Sequence, residues 1–94
     1  MADKIQLTIV TPDGVIYNGK ANYINIPTPD GSVGILANHA PMVCAVDDGA
    51  IMVRSDEGGE KYYAVTKGIA EVLKNVVTLL LESTPERPEV PEEE

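Results

Sequence analysis

Gly68-Ile69-Ala70-Glu71-Val72-Leu73-Lys74-Asn75-Val76-Val77-Thr78-Leu79-Leu80-Leu81 is the stretch on which the fold turns. Ile69, Val72, Leu73, Val76, Val77 and Leu80 recur at the spacing of an amphipathic helix. Two features oppose a helix. The β-branched pair Val76-Val77 runs into Thr78, side chains whose χ1 freedom a helix restricts. Lys74-Asn75 also suits a two-residue turn. Pattern alone leaves helix and hairpin level.

Outside this stretch the signals agree on strands. Lys4 to Val10 alternates, with Ile5, Leu7 and Ile9 on one face and Lys4, Gln6 and Thr8 on the other. Ala50 to Ser55 alternates again, setting Ile51 and Val53 opposite Met52 and Arg54, while Tyr23 to Ile26 is shorter and less regular. Turn-forming clusters punctuate these runs: Thr11-Pro12-Asp13-Gly14, Asn18-Gly19, Pro29-Asp30-Gly31, Asp47-Asp48-Gly49 and Asp56-Glu57-Gly58-Gly59. Trp and Phe are absent, so Val, Ile, Leu, Met and four Tyr must build the core, a set that favours strands. Short strands with frequent turns predict an antiparallel sandwich or barrel. No internal repeat is expected. Tyr62 and Tyr63, adjacent on a strand, point one to the core and one to the surface.

The chain has 94 residues, enough for one small domain. Its formal charge is −8, which disfavours a nucleic-acid partner. Residues 84–94 hold five Glu and one Arg, a net of −4, so residues 1–83 carry the other −4. The single cysteine, Cys44, allows no intrachain disulfide. The N-terminus lacks a signal-peptide pattern, and no apolar run approaches the roughly 20 residues that span a bilayer. A soluble, cytoplasmic chain is expected, unless a membrane complex holds it. From Thr84 the composition changes: Pro stands at every third position among glutamates, and almost nothing apolar remains to bury. The expectation is a folded domain over 1–83 and an extended, disordered acidic tail over 84–94.

Candidate chemistry is sparse. His39 is the only histidine, with Ser32 and Cys44 the nearest nucleophiles and Asp47 the nearest acid, in a spacing that matches no catalytic motif. One His and one Cys are too few for a usual zinc site. Gly31-Ser32-Val33-Gly34 lacks the Lys-Ser/Thr ending of a phosphate-binding loop. Cys44 lies in the apolar run Met42–Val46 and is expected to be a buried, unreactive thiol. No cofactor or metal is expected.

Gly31-Ser32-Val33-Gly34-Ile35-Leu36-Ala37-Asn38-His39-Ala40-Pro41 resembles the signature of F-type ATP synthase epsilon subunits, a Gly-x-x-Gly-Ile stretch followed by His-Ala-Pro. The opening strand into Thr11-Pro12-Asp13-Gly14, the following Asp48-Gly49, the Gly68-Ile69-Ala70-Glu71-Val72 run and the Val76–Leu81 strand keep the family's order. The resemblance covers about residues 4–83. It implies an all-β fold, a ten-stranded β-sandwich of two five-stranded, mostly antiparallel sheets, and it turns residues 69–81 into a hairpin, Ile69–Leu73 and Val76–Leu81. It implies a non-catalytic rotor component at the foot of the central stalk, gripping the gamma subunit and resting on the polar loops of the membrane c-ring. The location implied is peripheral, on the cytoplasmic face of the membrane. Residues matching Asp30, Gly31, Ser32 and Val33 face the c-ring in that family, and those matching Thr11, His39 and Cys44 lie toward gamma. Two departures stand out. Lys67 occupies a position where the family usually has Gly. The two C-terminal helices of many epsilon subunits are missing, and the Pro-Glu repeat is not a helix start, which favours a naturally short form. Two rival readings are a ligand-binding sandwich module, for which four Tyr supply few aromatics, and a small hydrolase using His39.

Overall fold

The computed structural model describes residues 4–56 and 59–85 and the backbone of Glu89 and Val90. The strands are β1 (Ile5–Thr11), β2 (Gly14–Ala21), β3 (Tyr23–Thr28), β4 (Gly31–Leu36), β5 (Met42–Val46), β6 (Gly49–Ser55), β7 (Gly59–Val65), β8 (Gly68–Leu73) and β9 (Val76–Leu81). They form two sheets. Sheet A has the order β2-β1-β9-β8-β5, and sheet B runs β7-β6-β3-β4. A two-residue segment, β10 (Glu89–Val90), pairs antiparallel with β7 at the outer edge of sheet B. All pairs are antiparallel except β1 with β9. The expected disorder of the acidic tail falls largely on residues 86–88 and 91–94, outside the described residues.

Alternation explains the core. Ile5, Leu7 and Ile9 of β1 turn inward beside Val77, Leu79 and Leu81 of β9, and meet Ile24, Ile26, Ile51 and Val53 of sheet B. Each such side chain contributes about 1.5–3 kcal/mol when fully buried. A bulge in β2 refines the pattern: Ile9 faces Tyr17 and Val10 faces Val15, leaving Ile16 extra. Ile16 and Tyr17, neighbours in sequence, therefore both pack against the core. Tyr17 meets Tyr63 across the sheets, ring centroids 4.8 Å apart. Tyr63 thus takes the inward position of the adjacent pair. Tyr62 pairs with Met52 on the outward face.

Residues 68–81 are a hairpin, not a helix. Lys74 and Asn75 have φ of 53° and 64°, the two positive dihedrals of a tight hairpin turn whose twist matches the strands. Of the six helix-spaced residues only Val72 and Val77 are buried; Ile69, Leu73, Val76 and Leu80 point outward. Gly68 opens this hairpin against Leu81, and a Cβ there would run into the Leu80 carbonyl oxygen.

One tetrapeptide recurs, contrary to the expectation of no repeat. Thr-Pro-Asp-Gly occupies 11–14 and 28–31 and closes both the β1–β2 and β3–β4 hairpins. In each, the Thr hydroxyl donates to the Gly carbonyl at 3.1 Å and accepts the Asp amide, at 3.1 Å for Thr11 and 3.2 Å for Thr28. Gly14 and Gly31 have φ of 122° and 126°, values that a side chain would strain. Thr84 and Pro85, assigned to the tail on composition, are held by the folded body. Thr84 Oγ1 lies 2.8 Å from both Thr11 Oγ1 and Asp13 Oδ2, and Pro85 is buried.

Gly68→Ala should cost at least about 2 kcal/mol, because the obstacle is backbone that cannot turn aside. Lys74→Asn should stabilise by about 0.5 kcal/mol, since Asn tolerates the left-handed conformation better. Urea unfolding of the two variants against the parent checks both signs.

Candidate functional site

Strand direction divides the molecule into two ends. The β1–β2 and β3–β4 turns, the β5–β6 and β7–β8 connections and the end of β9 share one end, called here the hairpin end. Asp47 N donates to Pro27 O at 3.0 Å there. The β8–β9 turn, the β4–β5 connection, Asn22 and Asp56 lie at the other.

The Asp30-Gly31-Ser32-Val33 segment is the tip and first half of β4, at the hairpin end. Asp30, Gly31 and Ser32 are exposed and Val33 is half-buried, packed against the core. Behind it, the Tyr23 ring lies across Gly34, and Arg54 stacks over Tyr23 at 4.9 Å while donating to Glu60 at 3.0 Å. This brace grips the middle of β4, three residues from the tip, and the tip itself is closed by its own turn. The same end carries Asp13, Asp30, Asp47, Asp48 and Glu82, with Lys67 as its cation among the described residues.

Thr11, His39 and Cys44 do not converge on one spot. Thr11 is buried at the hairpin end with its hydroxyl committed to the β1–β2 turn. His39 sits in the β4–β5 connection at the opposite end, its Nδ1 2.8 Å from the Ala40 carbonyl oxygen. Cys44 is midway along β5, its side chain against the core, where burial pushes the thiol pKa up. This geometry gives the hydrolase reading nothing to work with. Ser32 and Asp47 lie at the hairpin end, whereas His39 lies a strand length away, roughly 17 Å for five residues. Among the described residues no group of three or more His, Cys, Asp or Glu is placed to hold a metal ion.

Sequence reading missed the largest feature. On the outward face of sheet A, Ala45 pairs with Ile69, Ile69 with Leu80, Leu80 with Val10 and Val10 with Val15. That is an apolar row across all five strands. A polar row, Val43-Glu71-Thr78-Thr8-Asn18, follows, and then Leu73 beside Val76. Among the described residues, six of the seven large exposed hydrophobics lie on this face, with exposures from 42% at Val76 to 69% at Val43. The seventh, Leu36, belongs to sheet B. So much aligned apolar surface on a small domain marks a contact face.

The family model described as ATP synthase, Delta/Epsilon chain, beta-sandwich domain matches residues 4–86. The chain belongs to that family. Among its relatives, the chloroplastic ATP synthase epsilon chain of Tetradesmus obliquus is 43% identical over 76 residues, covering 81% of this chain and 55% of the relative. The ATP synthase epsilon chain of Koribacter versatilis (strain Ellin345) is 42% identical over 89 residues, covering 95% and 61%. The delta/epsilon-type chain thus spans little more than half the length of these relatives. A chain in the cryo-EM structure of the Euglena gracilis mitochondrial ATP synthase, OSCP/F1/c-ring in rotational state 1, superposes with a TM-score of 0.76 at 29% identity, covering 83% of this chain and 50% of that one. One from the Tetrahymena thermophila central stalk/c-ring superposes at 0.65 with 18% identity, a likeness of fold alone. No helix among the described residues is long and apolar enough to cross a membrane.

Lys67 is a strap in this epsilon-type domain. Its Nζ lies 2.7 Å from Asp47 Oδ1 and 3.3 Å from Asp48 Oδ2, tying the β7–β8 connection to the β5–β6 connection. The Asp47 carboxyl is held below the ordinary carboxylate range, chiefly by the Lys67 hydrogen bond, and Lys67 is raised by the same partner. A depressed acid stabilises above its unfolded pKa and loses that contribution as pH falls through the folded value. A raised base stabilises below its unfolded pKa and loses it as pH rises through the folded one. Any advantage of the parent over Lys67→Gly should therefore be largest where both groups are charged, and be lost as pH falls below the ordinary carboxylate range or rises above the ordinary lysine range. It should also shrink in 1 M salt, because the pair is exposed. Denaturation midpoints of both proteins across pH and salt test this.

Proposed function

We propose that this domain is a non-catalytic central-stalk subunit of an F-type ATP synthase, linking the gamma subunit to the c-ring and so coupling ion translocation to ATP synthesis. The observation that carries this reading is the five-strand apolar row on sheet A. It supplies a broad docking face on a domain whose structural relative comes from an F1/c-ring assembly. Gamma covers this face. His39 and Cys44 lie along the β4/β5 border of it, and Thr11 stands at its hairpin end. Coupling needs a rigid body with two separate contacts. The second contact is the hairpin end, where Asp30, Gly31, Ser32 and Val33 rest on the polar loops of the c-ring. The acidic side chains there suit a ring of polar or basic loops. Such a subunit sits on the cytoplasmic side of the membrane as a peripheral part of the complex.

Torque transmission asks that neither contact yield under load. The short Thr-Pro-Asp-Gly turn stiffens the c-ring end, and the Tyr23–Gly34 crossing braces the middle of β4 behind it. The sandwich between them keeps its hydrogen bonds within two continuous sheets, so the body moves as one piece.

Ile69→Glu or Leu80→Glu should abolish a stable complex with a co-expressed gamma subunit on gel filtration, a loss of at least 100-fold in affinity from charging a desolvated contact. The variants alone should keep the parent's circular dichroism, since both side chains are exposed. If they bind gamma like the parent, the assignment of this face is wrong. Ser32→Trp should leave assembly with gamma intact and lower ATP-synthesis coupling in membrane vesicles. Unchanged coupling in assembled complexes would remove the hairpin tip from the c-ring contact.

A further inference from the structure

The two open sides of the sandwich are treated differently by the chain. On one side run β2 and β7. β2 carries Lys20 and the bulge at Ile16; β7 carries Glu60 and Lys61 and is paired by β10. Charges, bulges and a covering strand are the usual devices that stop a sheet edge from recruiting another strand. On the other side run β4 and β5, Gly31-Ser32-Val33-Gly34-Ile35-Leu36 and Met42-Val43-Cys44-Ala45-Val46. Neither contains a charged residue, a proline or a bulge. No described strand lies beyond either.

We propose that the free edge of β5 is a strand-addition site, and that its occupant is an extended segment of the same partner chain that covers sheet A. The proposal rests on the reading above that gamma docks on that face. Three observations select β5 and this occupant. First, the apolar row of sheet A begins at Ala45, on β5 itself, so an added strand extends the docking face by one strand without a break. Second, the described end of this chain pairs with β7 on the far side of the sandwich. Third, the edge is held ready. The connection into β5 is pinned to the β8–β9 turn, where Asn38 N donates to Asn75 Oδ1 and Asn75 Nδ2 donates to Asn38 Oδ1 at 3.3 Å. Asn38 itself has a φ of 67°. A fixed edge loses little entropy on pairing. Main-chain bonds along β5 supply affinity. Val43 and Ala45, outward on β5, select an occupant with apolar side chains at alternate positions.

Hydrogen exchange on the full chain, free and bound to a gamma subunit, tests the proposal. Alternate β5 amides, those not bonded to β8, should slow by at least about 100-fold in the complex, while the edge amides of β2 keep their free-chain rates. A stable complex in which β5 amides exchange as in the free chain overturns strand addition and leaves the face contact standing. β5 protection that appears in the free chain, grows with its concentration and is not increased by gamma makes a second copy the occupant and overturns the proposal. Failure to form any complex overturns the reading of the partner, and strand addition with it.

Discussion

The parallel pairing of β1 with β9 holds sheet A together. Without it the sheet separates into the β1–β2 hairpin and the β5-β8-β9 ribbon, since no other ladder joins them. The pairing brings the start of the chain beside its last long strand. Its cost is the closure of a loop of about 65 residues, which grows only slowly with length. Its return is a fully buried part of the core, where Leu7 and Ile9 lie beside Val77 and Leu79. It also aligns Val10 with Leu80 on the opposite face. One ladder therefore sets both the stability of the domain and the continuity of its contact surface. The outward apolar row therefore depends on a pairing between residues 70 positions apart.

The two outward faces have opposite characters. Sheet B satisfies itself: Glu60 holds Arg54, Arg54 covers Tyr23, and Tyr23 covers Gly34. Sheet A leaves Ile69, Leu80 and Val15 uncovered. The two faces thus differ: one is closed by its own side chains, and the other leaves apolar surface exposed.

Much of the fold was legible in the sequence. Alternation in Ile5–Thr11 and Gly49–Ser55, and the Pro-Asp-Gly and Asp-Gly turns, give strand positions from local chemistry alone. The helix-like spacing of residues 69–80 misleads for a specific reason. A helical pattern assumes one apolar face, but these strands are apolar on both sides, since Ile69, Leu73, Val76 and Leu80 face outward. The ambiguity was itself a trace of the contact surface, visible only once strand pairing was known. The bulge at Ile16 carries no sequence mark. Nor does the Lys67 strap, whose partners Asp47 and Asp48 are brought near by sheet topology. The candidate contact residues were located by family resemblance. The physical surface around them came from the pairing of strands distant in sequence.

The two Thr-Pro-Asp-Gly turns have a consequence for how this protein can change. Each turn draws its geometry from four adjacent residues: a hydroxyl that bonds both ways, a fixed proline and a permissive glycine. The first turn is also gripped by Thr84, whereas the second closes on its own four residues. At the second turn the exposed Asp30 side chain can therefore vary in charge and size while Thr28, Pro29 and Gly31 keep the strand register. Natural drift, or a designer, can adjust the tip without renegotiating the core behind it.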